Sequence, residues 1–116
     1  SAPGRWFTAG FTQTHPDIVQ RAQAWIAGIA PEGYAACCEA LATSALRESI
    51  GRIAVPTLLL AGADDPVTTV ADAQAMQASI AGSSLAVVPA SHLSNLEAPQ
   101  AFEQAVLDFL AHAAKA

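Results

Sequence analysis

The chain has 116 residues, 53% of them hydrophobic and 13% charged, with a net charge of −5; five basic residues cannot assemble the positive stripe that a nucleic-acid backbone requires. No apolar run nears the roughly 20 residues needed to span a bilayer, and the N-terminus lacks the blocks of a signal peptide, so a soluble, cytoplasmic protein with no membrane partner is expected. A domain of about 100 residues buries only roughly 60 to 70% of its unfolded surface, so a chain this apolar is expected to leave a face for another segment to cover.

Residues 1–12 are rich in Gly, Pro and aromatics without a sustained period, and they read as an entering loop. Thr14 then offers an N-cap, Pro16 sits in the first turn and Asp17 at the capping-box position. Ile18, Ala22, Trp25, Ile26 and Ile29 follow at helical spacing, which predicts a helix to about Ala27. Residues 31–33 reopen the chain, and Tyr34, Cys37, Cys38, Leu41 and Ala42 form a second helical stripe reaching to Leu46 or Ile50. The adjacent pair Cys37 and Cys38 disfavours a mutual disulfide and supplies no second pair for zinc. Both are expected as small buried side chains in a reducing compartment.

Residues 53–62, IAVPTLLLAG, are a continuous apolar run closed by glycine and predict a strand buried on both faces. Val70, Ala73, Met76 or Gln77 and Ile80 repeat at helical spacing, and Gly82 closes that helix. Residues 85–88 make a second apolar strand. Pro99 opens a last helix with Phe102, Val106, Phe109 and Leu110 on one face. Strand, crossover helix and strand imply parallel pairing with a right-handed crossover, the unit of an α/β fold. A parallel sheet covered on both faces usually has five or more strands, so the others are expected from upstream sequence or a separate chain.

Parallel strands bring their carboxyl ends to one edge, where α/β proteins place ligands and catalytic groups. Asp64 and Asp65 follow the first strand; Ser91, His92, Ser94 and Asn95 follow the second. Neighbouring strands lie about 5 Å apart, so an acid and a histidine share that edge. A carboxylate there can accept the Nδ1–H of the histidine, fix its tautomer and stabilise the imidazolium formed when Nε2 takes a proton. The alternative for His92 is a loop histidine satisfied by backbone. His15, in a Thr-His-Pro helix start, and His112, in the last helical turn, read as structural. Ser91 adjoins His92, and adjacent loop residues point apart, which argues against it as a nucleophile.

The segments G-A-D-D-P-V-T from Gly62 and A-S-H-L-S-N-L-E-A-P from Ala90 resemble the end pattern of α/β-hydrolases, whose chain order is Ser, then Asp, then His. R-W-F-T from Arg5, G-Y-A-A-C-C from Gly33 and H-L-S-N-L-E-A-P from His92 are similar to the 3-oxoadipate enol-lactonase family. Two departures are Thr69-Val70, where relatives often have Pro-Pro, and Ala45-Leu46-Arg47, where they often have Asp-Leu-Arg.

The resemblance implies the C-terminal part of an α/β-hydrolase, with residues 1–50 ending a helical cap and residues 51–116 ending the core. It implies a hydrolase without cofactor or metal that opens the ring of a carboxylated enol-lactone in the β-ketoadipate route of aromatic catabolism. G-x-x-D spacing from Gly62 favours Asp65 over Asp64 as the acid, with Asp64 a turn or capping residue, and His92 is the expected base. No Gly-x-Ser-x-Gly elbow or oxyanion loop occurs, so the nucleophile is expected on an N-terminal partner and this chain alone is expected to be inactive. Arg5 and Trp6 are substrate-binding candidates, Arg5 by pairing with a substrate carboxylate. Trp6, Phe7, Phe11 and Trp25 either pack the helical layer or line an acyl pocket; Glu97 and Pro99 read as a turn into the last helix, in which bracing of the histidine loop is a further option for Glu97 and catalytic duty is not expected. The alternatives are another carboxylesterase or lactonase of the same fold, or a noncatalytic binding protein that kept it.

Overall fold

A computed structural model describes residues 2–115 of the protein. The expected entering loop contains two short helices, α1 (Pro3–Trp6) and α2 (Ala9–Thr14). Thr8 explains the second: its backbone is extended and its hydroxyl accepts the Phe11 N–H, which makes it an N-cap. Thr14 is not the N-cap expected of it. Its hydroxyl donates back to the Gly10 carbonyl at 3.0 Å, so it ends α2, and His15 is the joint to α3 (Pro16–Ala27). Pro16 starts that helix because its missing N–H is one the first turn cannot bond anyway. Helix α4 (Pro31–Thr43) stops earlier than the apolar stripe suggested: Ser44 is extended, and single 3₁₀ turns follow at Leu46–Glu48 and Ile50–Arg52.

Strands β1 (Leu58–Gly62) and β2 (Ser84–Val88) pair in parallel, in register from Leu58 opposite Ser84 to Gly62 opposite Val88. β1 is half the length of the apolar run because Pro56 has no N–H to give a ladder. Helix α5 (Val70–Ser79) makes the crossover. Its start is a full capping box, the Thr69 hydroxyl accepting from the Asp72 N–H while the Asp72 carboxylate accepts from Thr69. Gly82, at φ 72°, turns the chain back into β2. Beyond β2 a short helix, α6 (Ser94–Glu97), precedes α7 (Pro99–Ala113), and α5 and α7 each pack on both strands.

The N-terminal core is Phe7, 2% exposed, with Val19 and Ala22; Trp6, Phe11, Ile18, Leu93 and Leu96 pack around it. Phe11 stacks on Phe7 at 5.1 Å and on His15 at 4.4 Å. Because Leu93 belongs to this cluster, α1 to α3 are packed against the loop after β2. Helix α4 is exposed along its whole length, with Leu41 at 76%, and Trp25 on α3 is exposed as well. Cys37 and Cys38 are therefore exposed rather than buried, as is every other position of α4 among the described residues. Leu58, Leu59 and Leu60 are likewise only half-buried. Among the described residues no helix is long and apolar enough to cross a membrane.

Candidate active site

The carboxyl ends of β1 and β2 continue their pairing into the loops: the Ala63 N–H donates to the Val88 carbonyl at 2.9 Å and the Asp64 N–H to the Ala90 carbonyl at 3.0 Å. This close approach needs Gly62, since a Cβ there would sit 2.5 Å from the Ala90 oxygen and collide with the Ser91 oxygen too.

Three residues past Gly62, the Asp65 carboxylate is buried. Its Oδ1 accepts the N–H of Val67 at 2.8 Å and of Thr68 at 3.1 Å, and its Oδ2 accepts the Thr68 hydroxyl at 2.8 Å. These are the bonds of an Asx turn, so the turn-forming acid is Asp65 itself and not Asp64, whose side chain is exposed. The same Oδ2 accepts from His92 Nδ1 at 2.9 Å. Burial pushes the carboxyl pKa up, but the bonds from His92, Val67 and Thr68 outweigh it and hold Asp65 below the usual aspartate value. The acid is thus kept ionised beside an imidazole that is about one-third exposed, 34% against 5% for the Asp65 side chain. With Nδ1 committed to Asp65, Nε2 is left to exchange a proton with another group.

Both neighbours of His92 are held from a distance in sequence. Ser91 is 2% exposed; its hydroxyl donates to the Arg5 carbonyl at 3.0 Å and its N–H to Glu97 Oε2 at 2.8 Å. The Leu93 N–H donates to the Trp6 carbonyl at 2.9 Å. Glu97 also accepts from the Thr8 N–H at 3.1 Å and from the Thr8 hydroxyl. A serine so buried and so bonded is unavailable as a nucleophile. The substrate-binding candidates Arg5 and Trp6 meet the site through their backbone carbonyls; the Arg5 side chain is exposed and Trp6 packs on the Phe7 cluster. His15 accompanies Thr14 and Phe11, and His112 lies in the last turn of α7. The links through Thr8, 89 residues from Glu97, had no local signal in the sequence. Thr68 had one, an Asp-Pro-x-Thr turn pattern. Among the described residues no group of three or more His, Cys, Asp or Glu side chains could hold a metal ion.

The same architecture recurs in solved structures. The crystal structure of the enol-lactonase from Burkholderia xenovorans superposes with a TM-score of 0.90 at 36% identity, covering 92% of this chain and 41% of that one. A hydrolase from Pseudomonas aeruginosa gives 0.87 at 42% identity, covering 93% and 41%. The chain has the fold of the C-terminal part of an α/β-hydrolase.

Two curated proteins of Acinetobacter baylyi, 3-oxoadipate enol-lactonase 2 and 3-oxoadipate enol-lactonase 1, are 51% and 40% identical to it over 106 residues. Its sequence is therefore similar to proteins named 3-oxoadipate enol-lactonase. The match covers 91% of this chain, which spans about 40% of the length of those relatives. No family model matches the chain.

Proposed function

We propose that this chain supplies the acid and the base of a Ser-His-Asp hydrolase acting on an enol-lactone of the 3-oxoadipate type. The nucleophile and oxyanion donors lie on an N-terminal part encoded upstream or carried by a separate chain. The observation that carries the reading is the His92–Asp65 hydrogen bond of 2.9 Å at the carboxyl edge of a parallel sheet. Similarity to proteins named enol-lactonase supports the substrate class.

In this reading Asp65 remains ionised and holds the Nδ1–H tautomer, so His92 Nε2 takes the hydroxyl proton as the serine oxygen attacks the lactone carbonyl. The ring C–O bond breaks, and the departing enol oxygen takes the proton back from Nε2. Water then attacks the acyl carbon as Nε2 takes its proton; the acyl–serine C–O bond breaks, the serine oxygen takes that proton back, and the ring-opened product acid is released. Residues 1–50 act as the end of a helical cap over this edge and residues 51–116 as the end of the core. The terminal residues Ser1 and Ala116 of those spans lie outside the described residues. The exposed guanidinium of Arg5 pairs with the free carboxylate of the substrate, so Arg5→Gln raises KM while leaving kcat close to normal.

The test is loss of the enol-lactone chromophore on addition of the full-length protein. Turnover is expected, with His92→Ala reducing kcat by about 10⁴-fold or more. Near-normal turnover in that variant removes the base assignment. Hydrolysis of simple esters but not of enol-lactones favours another esterase of the fold, and binding without hydrolysis favours a noncatalytic protein.

A further inference from the structure

We infer that Glu97 is a positioning residue for His92, acting through a clamp that ties the histidine loop to the segment around Thr8; this rests on the general-base reading of His92. Among the described residues the ring has one hydrogen bond, to Asp65. The direction in which it is presented depends on where residues 91 and 93 hold the backbone. Leu93 is tied to the Trp6 carbonyl and the Ser91 hydroxyl to the Arg5 carbonyl, but the Ser91 N–H has Glu97 as its acceptor.

The chemistry of the groups around Glu97 calls for a carboxylate. Its Oε1 accepts from the N–H and the hydroxyl of Thr8, and its Oε2 accepts from the Ser91 N–H at 2.8 Å and lies 3.3 Å from the Thr8 nitrogen. Every group facing it in these bonds donates, and a carboxylate offers only acceptors. Charge-assisted bonds of this kind are about twice as strong as neutral ones. An amide in the same place would turn one oxygen into an NH₂ that confronts a donor, and would loosen either Thr8 or Ser91. Loosening Ser91 lets the imidazole drift from Asp65, although neither Glu97 nor Thr8 touches the ring.

The discriminating variant is Glu97→Gln in the full-length protein, because it keeps the volume and one acceptor oxygen and so retains the fold. Two readouts are taken: steady-state kinetics on an enol-lactone, and the downfield proton NMR resonance of the His92 Nδ1–H held by Asp65. The expected result is a kcat lowered on the order of 100-fold, as for a small misplacement of a catalytic group, with KM little changed and the resonance weakened or shifted upfield. A role confined to stability would lower Tm and leave the resonance where it is. A folded Glu97→Gln protein with unchanged resonance and unchanged kcat overturns the inference. If the unaltered protein hydrolyses no lactone, the resonance alone decides. Its loss in Glu97→Gln then upholds the clamp while the lactonase reading fails, and its persistence overturns the clamp as well.

Discussion

Gly62 and Ser91 approach so closely that a Cβ added at Gly62 would collide with the Ser91 carbonyl oxygen, leaving no room for a methyl group between them. Asp65 comes three residues after the first and His92 directly after the second. The spacing between the two loops, and with it the 2.9 Å hydrogen bond between Asp65 and His92, is therefore built on the missing side chain at position 62. The Ala90 carbonyl adds to the same contact by accepting the Asp64 N–H at 3.0 Å.

Gly62→Ala is accordingly expected to act on stability and catalysis together. Overpacking a site bounded by backbone costs about 1–3 kcal/mol, because carbonyls cannot swing aside as a flexible side chain would. Denaturant unfolding of the full-length protein reads that loss. The same displacement moves Ser91 and hence His92, so kcat falls as well. A stable variant with unchanged kcat would mean that the two loops have slack that the geometry does not suggest.

The neighbouring acids separate cleanly. Asp65→Asn turns the acceptor of the Nδ1–H into a group that can favour the wrong tautomer, and in a Ser-His-Asp system that change lowers kcat by about 10⁴-fold. Asp64 is exposed and reaches the site only through its backbone, so Asp64→Asn is expected to leave kcat within a few-fold. Loss of activity in the Asp64 variant alone would move the acid by one residue.

Acid stability follows from the direction of the Asp65 shift. Burial raises its pKa, and the bonds from His92, Val67 and Thr68 more than reverse this, so the folded value lies below that of the unfolded chain. A depressed carboxyl stabilises the fold above the unfolded value of about 3.9, and that contribution is lost as pH falls from there through the folded value. Unfolding free energies measured across that window should decline more steeply for the wild-type protein than for Asp65→Asn. Parallel slopes would show that Asp65 is not the group being titrated.

Much of this site could be read from local sequence because its parts are local. The apolar run ending in Gly62 marks a strand, the next apolar run after one helix marks its parallel neighbour, and Asp65 and His92 then fall at one edge by topology alone. The clamp was hidden for the converse reason: Thr8 and Glu97 meet across 89 residues, and no periodicity encodes that meeting. The early helices were hidden too, since α1 and α2 are too short to show a period, and only the Thr8 cap reveals where α2 begins. Cys37 and Cys38 are exposed although their stripe reads as buried, because an apolar stripe on α4 states what the helix needs, not what the described residues supply.

That need makes the last prediction. Helix α4 presents Tyr34, Cys37, Cys38 and Leu41 to solvent, an arrangement unfavourable by roughly 25 cal/mol for each Å² of apolar surface left in water. If the N-terminal part proposed above covers this face, the thiols of Cys37 and Cys38 in the folded full-length protein should resist a thiol reagent until denaturant is added. Leu41→Ala should then cost about 2–5 kcal/mol, the range for a buried leucine. An exposed leucine would cost within about 0.5 kcal/mol, so the same variant reports directly on cover. Prompt labelling of both cysteines together with a negligible cost at Leu41 would leave α4 a free surface, and the apolar excess of the chain would need another partner.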